Sequence, residues 1–437
     1  MNNSKVLYWS FVIALGGFLF GFDTAVISGA EQSIQSLWKL DDFTHGLVIA
    51  IALYGTVIGA MFGGIPSNIW GRKTTLFWIG ILYSVSAIGS ALAVDPISFM
   101  IFRFIGGLGV GASSVAAPLY IAEISPSESR GRLVALFQFN IVFGILIAFL
   151  SNYLLESAGL NWRWMIGLEA FPAIAFTLMV LSVPNSPRWL IVKKNNVERA
   201  KLVLAQINPN NVEEEVSAIL KAKEHEAKGT EKFFSKRYSK PIMLVIAIAF
   251  FNQVSGINAI IYYAPRIFEM TGLGASTALL STSGIGIVNL VFTLIGMFLI
   301  DKLGRKILMI IGSFGLIGTL GLVANAFWTD EFTGVPIMLF VYIAFFAMSQ
   351  GAVIWVFIGE VFPNNIRAYG QSLGSFTHWI LAAIVANTFP MAVSAFSAGG
   401  IFMFFSVMMV LQLIFAWKIM PETKGLTLEN IEEELVD

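Results

Sequence analysis

Two stretches decide the architecture: GGIPSNIWGRK at residues 63–73 and GMFLIDKLGRK at residues 296–306. Each has Gly, then four residues, then Asn68 or Asp301, then two residues, then Gly-Arg-Lys, at an offset of 233. A second pair lies further on. EISPSESR (123–130) and EVFPNNIR (360–367) share Glu, Pro and Arg at one spacing, with an offset of 237. Each motif follows an apolar run, and the run has the same rank in each half of the chain. One short motif repeated by chance carries little weight. Two at nearly one offset mark an internal duplication. Many membrane transporters are built this way, with the binding site at the interface of the repeats near the midplane.

The apolar runs agree. Hydrophobic residues make up 57% of the 437, charged residues only 12%, and mean hydropathy is +0.77. A soluble domain carries about 25% charged residues. A spanning helix needs roughly 20 apolar residues. Twelve such runs are predicted, at 7–30, 46–67, 75–94, 98–122, 133–155, 164–183, 241–264, 277–300, 307–327, 335–359, 370–394 and 400–420. The first, preceded by one Lys and followed by no small-residue cleavage site, reads as a retained helix. Between the sixth and seventh lies the one long polar segment, which includes the charged amphipathic pattern VEEEVSAILKAKEHEAKG.

The expected organisation is thus an all-α membrane protein of two six-helix bundles, 1–184 and 241–420. A helical linker domain (185–240) joins them and a tail (421–437) follows. With the N-terminus inside, 23 of the 27 Lys and Arg fall on the cytoplasmic side, as the positive-inside rule asks. Both termini are expected in the cytoplasm of a cell-membrane protein.

Composition also excludes. No Cys rules out thiol catalysis and disulfides, and three His far apart in sequence argue against a metal centre. Zero net charge gives no electrostatic case for nucleic acid. There is no nucleotide loop and no nucleophile constellation, so no enzyme is expected, and no cofactor.

Three ionisable residues stand inside the spans. Asp23 lies eight residues before Glu31 at the outer end of span 1. Arg103 lies eight after Asp95 at the outer end of span 4, and Glu169 six after Arg163 at the outer end of span 6. At about 1.5 Å per residue all three sit about 9–12 Å below the outer surface. A charge at such depth costs roughly 2.5–3.5 kcal/mol, so each needs a partner or water. Two acids and one base at one level can share a proton. The plainer alternative is a static ion pair holding spans 1 and 4 together.

Further motifs cover nearly the whole chain: GRK (71–73), RFIGGLGVG (103–111), YIAEISPSESRGR (120–132), PNSPRWL (184–190), NQVSGIN with IIYYAP (252–265), DKLGRK (301–306), GEVFP with Arg367, and PETKG (421–425). Together they resemble the sugar porter family of the major facilitator superfamily. The SPRWL and PETKG elements are specific to sugar porters within it. The resemblance implies alternating access between two six-helix bundles. In proton-coupled members the acid after Gly-Phe in helix 1, here Asp23, is the proton acceptor, and the Arg of helix 4, here Arg103, its switchable partner. Facilitators commonly have Asn there.

The resemblance also implies a sugar site. Asn252, Gln253 and Asn258 of span 7 stand with Gln138 of span 5, Asn289 of span 8, Trp355 of span 10 and His378-Trp379 of span 11. Amides pair with sugar hydroxyls and aromatic rings pack on C–H faces. In a regular helix residues 253 and 258 do not share a face, and Ser255-Gly256 permits a break that turns both to one cavity. The alternative role of these amides is to join helices. Departures from the family pattern are Asn252 for Gln, Ile145 for Gln, and Gln350-Gly351-Ala352 for Trp-Gly-Pro. The expected partners are a hexose or pentose, a proton and the lipid bilayer, with the protein acting as a monomer.

Charges at the cytoplasmic helix ends, Glu123, Arg130, Arg132, Arg188, Asp301, Arg305, Glu360, Arg367 and Glu422, are expected to form a latch that closes when the protein faces outward. Asn68 replaces the usual Asp and Asn185 the usual Glu. This predicts a weaker latch in the first half and a bias toward inward-open. Proton symport is the leading expectation. The alternatives are an uncoupled sugar facilitator and a non-transporting receptor, whose typical long signalling tail this chain lacks.

Overall fold

The structure, a computed structural model, describes residues 3–126, 129–226, 233–363 and 366–425. Among them no strand occurs. Apolar helices long enough to span a membrane run Ser4–Gly29, Asp42–Ile69, Arg72–Leu92, Pro96–Glu123, Arg130–Ser157, Trp162–Val180, Lys236–Met270, Ala275–Leu303, Arg305–Thr329, Phe332–Glu360 and Arg367–Lys418. The last has 52 residues, far more than one bilayer crossing. It is broken at Ser397, whose backbone is non-helical (φ 63°, ψ 159°). The two arms are spans 11 and 12. Six spans precede the linker and six follow it.

Helix ends follow local chemistry. Asp95 opens span 4, its carboxylate accepting the amides of Ile97 and Ser98 at 2.9 Å ahead of Pro96. Those bonds, with the Ser98 hydroxyl, hold its carboxyl below the usual range. Gly71 (φ 92°) and Gly304 (φ 96°) start spans 3 and 9 in a backbone region that side chains rarely adopt.

The linker forms three helices, Pro187–Val192, Val197–Ile207 and Val212–Glu226. Trp189, Leu190, Val203, Leu204, Ile207 and Val216 are buried there. The charged pattern predicted to end at 229 runs beyond the described residues after Glu226.

The chain packs as two compact units. One comprises Met1–Thr24, Tyr54–Ile145 and Ile166–Thr230; the other comprises Ala25–Leu53, Leu146–Met165 and Glu231–Asp437. The first contains the linker helices, all of spans 3 and 4, and the larger parts of spans 1, 2, 5 and 6. The second gathers spans 7 to 12 together with the far ends of spans 1, 2, 5 and 6.

Candidate functional site

The residues singled out in the sequence form one buried polar centre in each unit. The first is ionic. Span 4 is a continuous helix through Arg103, while span 6 is interrupted at 168–169, at Glu169. Arg103 donates one Nη to the Asp23 carboxylate and the other to the Asp23 carbonyl at 3.0 Å. Asp23 and Arg103 are 2% and 1% exposed. Glu169 is completely buried, and neither of its oxygens meets a donor among the described residues. Its charged neighbours are Asp23 and Arg103. The buried Tyr83 phenol lies beside both acids and was missed in the sequence, where it reads as one aromatic among many.

The arithmetic of charge is direct. Asp23 and Arg103 neutralise each other. An ionised Glu169 adds one negative charge where no donor meets it among the described residues, and a buried carboxylate without a partner is costly.

The second centre is uncharged. Span 7 breaks at Gly256 (φ 87°) between the helices Ser239–Gln253 and Ile257–Met270. The break lets Asn258 donate to the Gln253 carbonyl at 2.6 Å, while the Gln253 amide donates to Asn252 at 2.9 Å. The same amide faces the His378 ring at 3.1 Å. His378 lies between aromatics, with ring centroids 4.8 Å from Trp355 and 4.6 Å from Trp379. Gln253 is fully buried; Trp355 is the exposed member. Six of the eight expected sugar-site residues therefore meet. Asn289 is elsewhere engaged, with Thr293 at 3.4 Å. Gln138 belongs to the other unit, half-buried and without a hydrogen bond.

The repeated motifs form two cradles. Arg72 donates to the Ser67 carbonyl (3.1 Å), Asn68 (3.2 Å) and Glu123 (2.8 Å), and Ser186 donates to the second oxygen of Glu123. Arg305 donates to the Ile300 carbonyl (3.1 Å) and Asp301 (3.4 Å). It holds Glu360 through two bonds (2.7 and 3.1 Å), and Thr423 donates to Glu360 at 2.6 Å. Each network closes within its own compact unit. Arg188 is half-buried, and Arg367 donates to the Phe362 carbonyl at 3.3 Å. Arg130 and Arg132 are exposed and form no ion pair among the described residues. Ser186 and Thr423 went unnoticed in the sequence, although Pro184-Asn185-Ser186 and Pro421-Glu422-Thr423 stand at the same offset of 237.

A duplicated array of twelve spans with buried polar centres and paired cradles at the helix ends defines a membrane transporter of the major facilitator fold, not an enzyme. The model for the sugar (and other) transporter family matches residues 9–435. The D-xylose-proton symporter of Escherichia coli (strain K12) is 36% identical, over 99% of this chain and 96% of its own. The arabinose-proton symporter of Bacillus subtilis (strain 168) is also 36% identical, over 98% and 94%. A solved structure, the partially occluded inward-open conformation of the xylose transporter XylE from E. coli, superposes with a TM-score of 0.87 at 34% identity, covering 97% of this chain and 100% of that one. The chain belongs to the sugar (and other) transporter family.

Proposed function

We propose that this protein imports a monosaccharide, a pentose or hexose, together with a proton, by alternating access between its 1–184 and 241–420 halves. Asp23 accepts the proton, Arg103 is the partner it exchanges, and Glu169 shares the proton while it is bound. The carrying observation is Glu169: buried, without a donor, beside an acid already paired to the one local base. In one state Arg103 holds Asp23 ionised. When the pair parts, burial favours the neutral acid, so proton affinity depends on conformation. That dependence couples a proton gradient to sugar movement. The names of the two curated relatives support the same reading.

The sugar site is the Gln253–Asn258–Asn252 network with His378, Trp355 and Trp379, with Gln138 and Asn289 as further contacts. It offers amides for hydroxyls and rings for C–H faces. The Lys and Arg distribution supports cytoplasmic termini, and the protein acts as a monomer.

The test is Asp23→Asn in proteoliposomes. Sugar accumulation driven by a pH gradient is expected to vanish while counterflow exchange persists. Unchanged accumulation would exclude Asp23 as the coupling site, whereas a parent protein that does not accumulate sugar under the gradient would be an uncoupled facilitator. Loss of both activities would make the pair structural.

A further inference from the structure

A second ionic cluster lies in the other unit, at the far end of span 1, which the proposed orientation makes the outer end. Span 1 closes in a tight turn, Ile27–Gly29, and a short helix, Glu31–Trp38, follows. Glu31 is completely buried. Arg266, from the outer half of span 7, holds both of its oxygens, Nε to Oε1 at 2.9 Å and Nη2 to Oε2 at 2.7 Å. Arg266 also donates to Gln35 at 2.6 Å. His45, in the first turns of span 2 and completely buried, shares Glu31 Oε2 through Nε2 at 2.8 Å. Its other nitrogen, Nδ1, is buried without a partner.

The surroundings hold little else that can carry charge. Tyr263 of span 7 turns its ring edge to His45 and gives its hydroxyl to the Ala386 carbonyl at 2.9 Å. Span 11 packs close at Gly46, against Asn387, whose side-chain oxygen is also buried and open. Asp42, the next carboxylate near Arg266, accepts from Ser394 at 2.6 Å.

With neutral His45 the cluster sums to zero: Glu31 negative, Arg266 positive, and a proton on Nε2 shared with Glu31. The lone pair of Nδ1 is then the one vacant proton position. Filling it puts a second cation 3.5 Å from the Arg266 guanidinium. One buried carboxylate cannot neutralise both. His45 has no way out, whereas Arg266 is 26% exposed and can reach water.

We propose that His45, Glu31 and Arg266 form a second proton-binding site, separate from Asp23, in which His45 Nδ1 takes the proton and Arg266 is thereby released from Glu31. The released element is the helix Ile257–Met270. It is already detached from the inner half of span 7 at Gly256 and bent again at Tyr263 (φ −117°, ψ 18°), ahead of Pro265. Acid on this side frees the outer half of span 7 from span 1. Histidine is suited to this because its charge changes near neutral pH.

The experiment uses the full chain in an Asp23→Asn, Glu169→Gln background, which removes both acids of the first centre. The chain has no Cys, so Leu37→Cys and Ser276→Cys accept spin labels specifically. Double electron–electron resonance distances are compared at about pH 8 and about pH 5.5, either side of the ordinary histidine range. A longer-distance population is expected to grow several-fold on acidification. His45→Gln keeps a donor for Glu31 but cannot titrate, and should give one distribution at both pH values. Arg266→Gln should give the acid distribution already at pH 8. A His45→Gln protein that responds to pH like its parent overturns the proposal. So does a His45 ring carbon resonance that does not titrate across this interval. Neither readout needs sugar or a gradient, so its failure is separate from failure of the symport reading.

Discussion

The two GRK cradles are the same device made twice, and one difference between them bears on the start of the helix. Both start a helix from a glycine of nearly equal φ. In both the arginine reaches back to the carbonyl five residues earlier and the side chain four earlier. Both lock a glutamate from the end of the next span, with a hydroxyl from a Pro-x-Ser/Thr triplet on it. The difference is x. In the second cradle Glu422 accepts the amides of Arg305 at 2.9 Å and Lys306 at 3.1 Å, capping the start of span 9. In the first cradle Asn185 stands there, and among the described residues no hydrogen bond joins it to the start of span 3. Asn68 stands where the second cradle has Asp301. The duplicated fold has kept geometry constant while carboxylates were withdrawn from one copy.

The largest expected effect probes what the missing charges leave exposed. Arg72 and Glu123 are both 7% exposed, whereas Glu360 is 24% exposed. Glu123→Ala leaves a buried guanidinium with only neutral neighbours, and about 3–5 kcal/mol of stability should be lost. Glu360→Ala leaves Arg305 with Asp301, so the loss should be nearer the roughly 1.5–3 kcal/mol of a hydrogen bond to a charged group. Thermal unfolding of the two purified variants ranks them; equal losses would show that Asp301 compensates nothing. A smaller effect is expected for Glu422→Ala, about 0.5–2 kcal/mol for removal of a helix cap. Faster hydrogen exchange should appear at the amides of 305 and 306, and unchanged exchange would remove Glu422 as the cap. The smallest is a gain. Asn185→Glu should add about 0.3–1 kcal/mol at the start of span 3 through the helix dipole. Slower exchange at 72 and 73 is its signature. If none appears, residue 185 does not set the stability of the start of span 3.

The duplication, the span count and these cradles were legible because each rests on a pattern repeated in the sequence itself. Asp23, Arg103 and Glu169 stood out because a charge inside an apolar run is expensive wherever it occurs. Their contact follows from equal depth, which helix rise alone gives. Other features had no such signature. The joint between spans 11 and 12 falls at Ser397, a residue with positive φ, and not at the adjacent Gly399-Gly400 pair. Glu31, His45 and Arg266 read as ordinary solvated ends of spans. Arg266 is 235 positions from Glu31, and burial at a helix end is decided by tertiary packing that no periodicity encodes.

The Glu422 cap also orders events in time. A ribosome makes Arg305 and Lys306 at the start of span 9, but the carboxylate that satisfies their amides comes 117 residues after Arg305, once span 12 has been made. Thr423, which completes the hold on Glu360, comes with it. In the first copy Ser186 follows directly on span 6, so that cradle is complete before span 7 emerges. The first half of this transporter can finish its cradle end during synthesis. The second stays open at that end until its last span is in the membrane, and the closing contact doubles as a seal on a fully inserted chain.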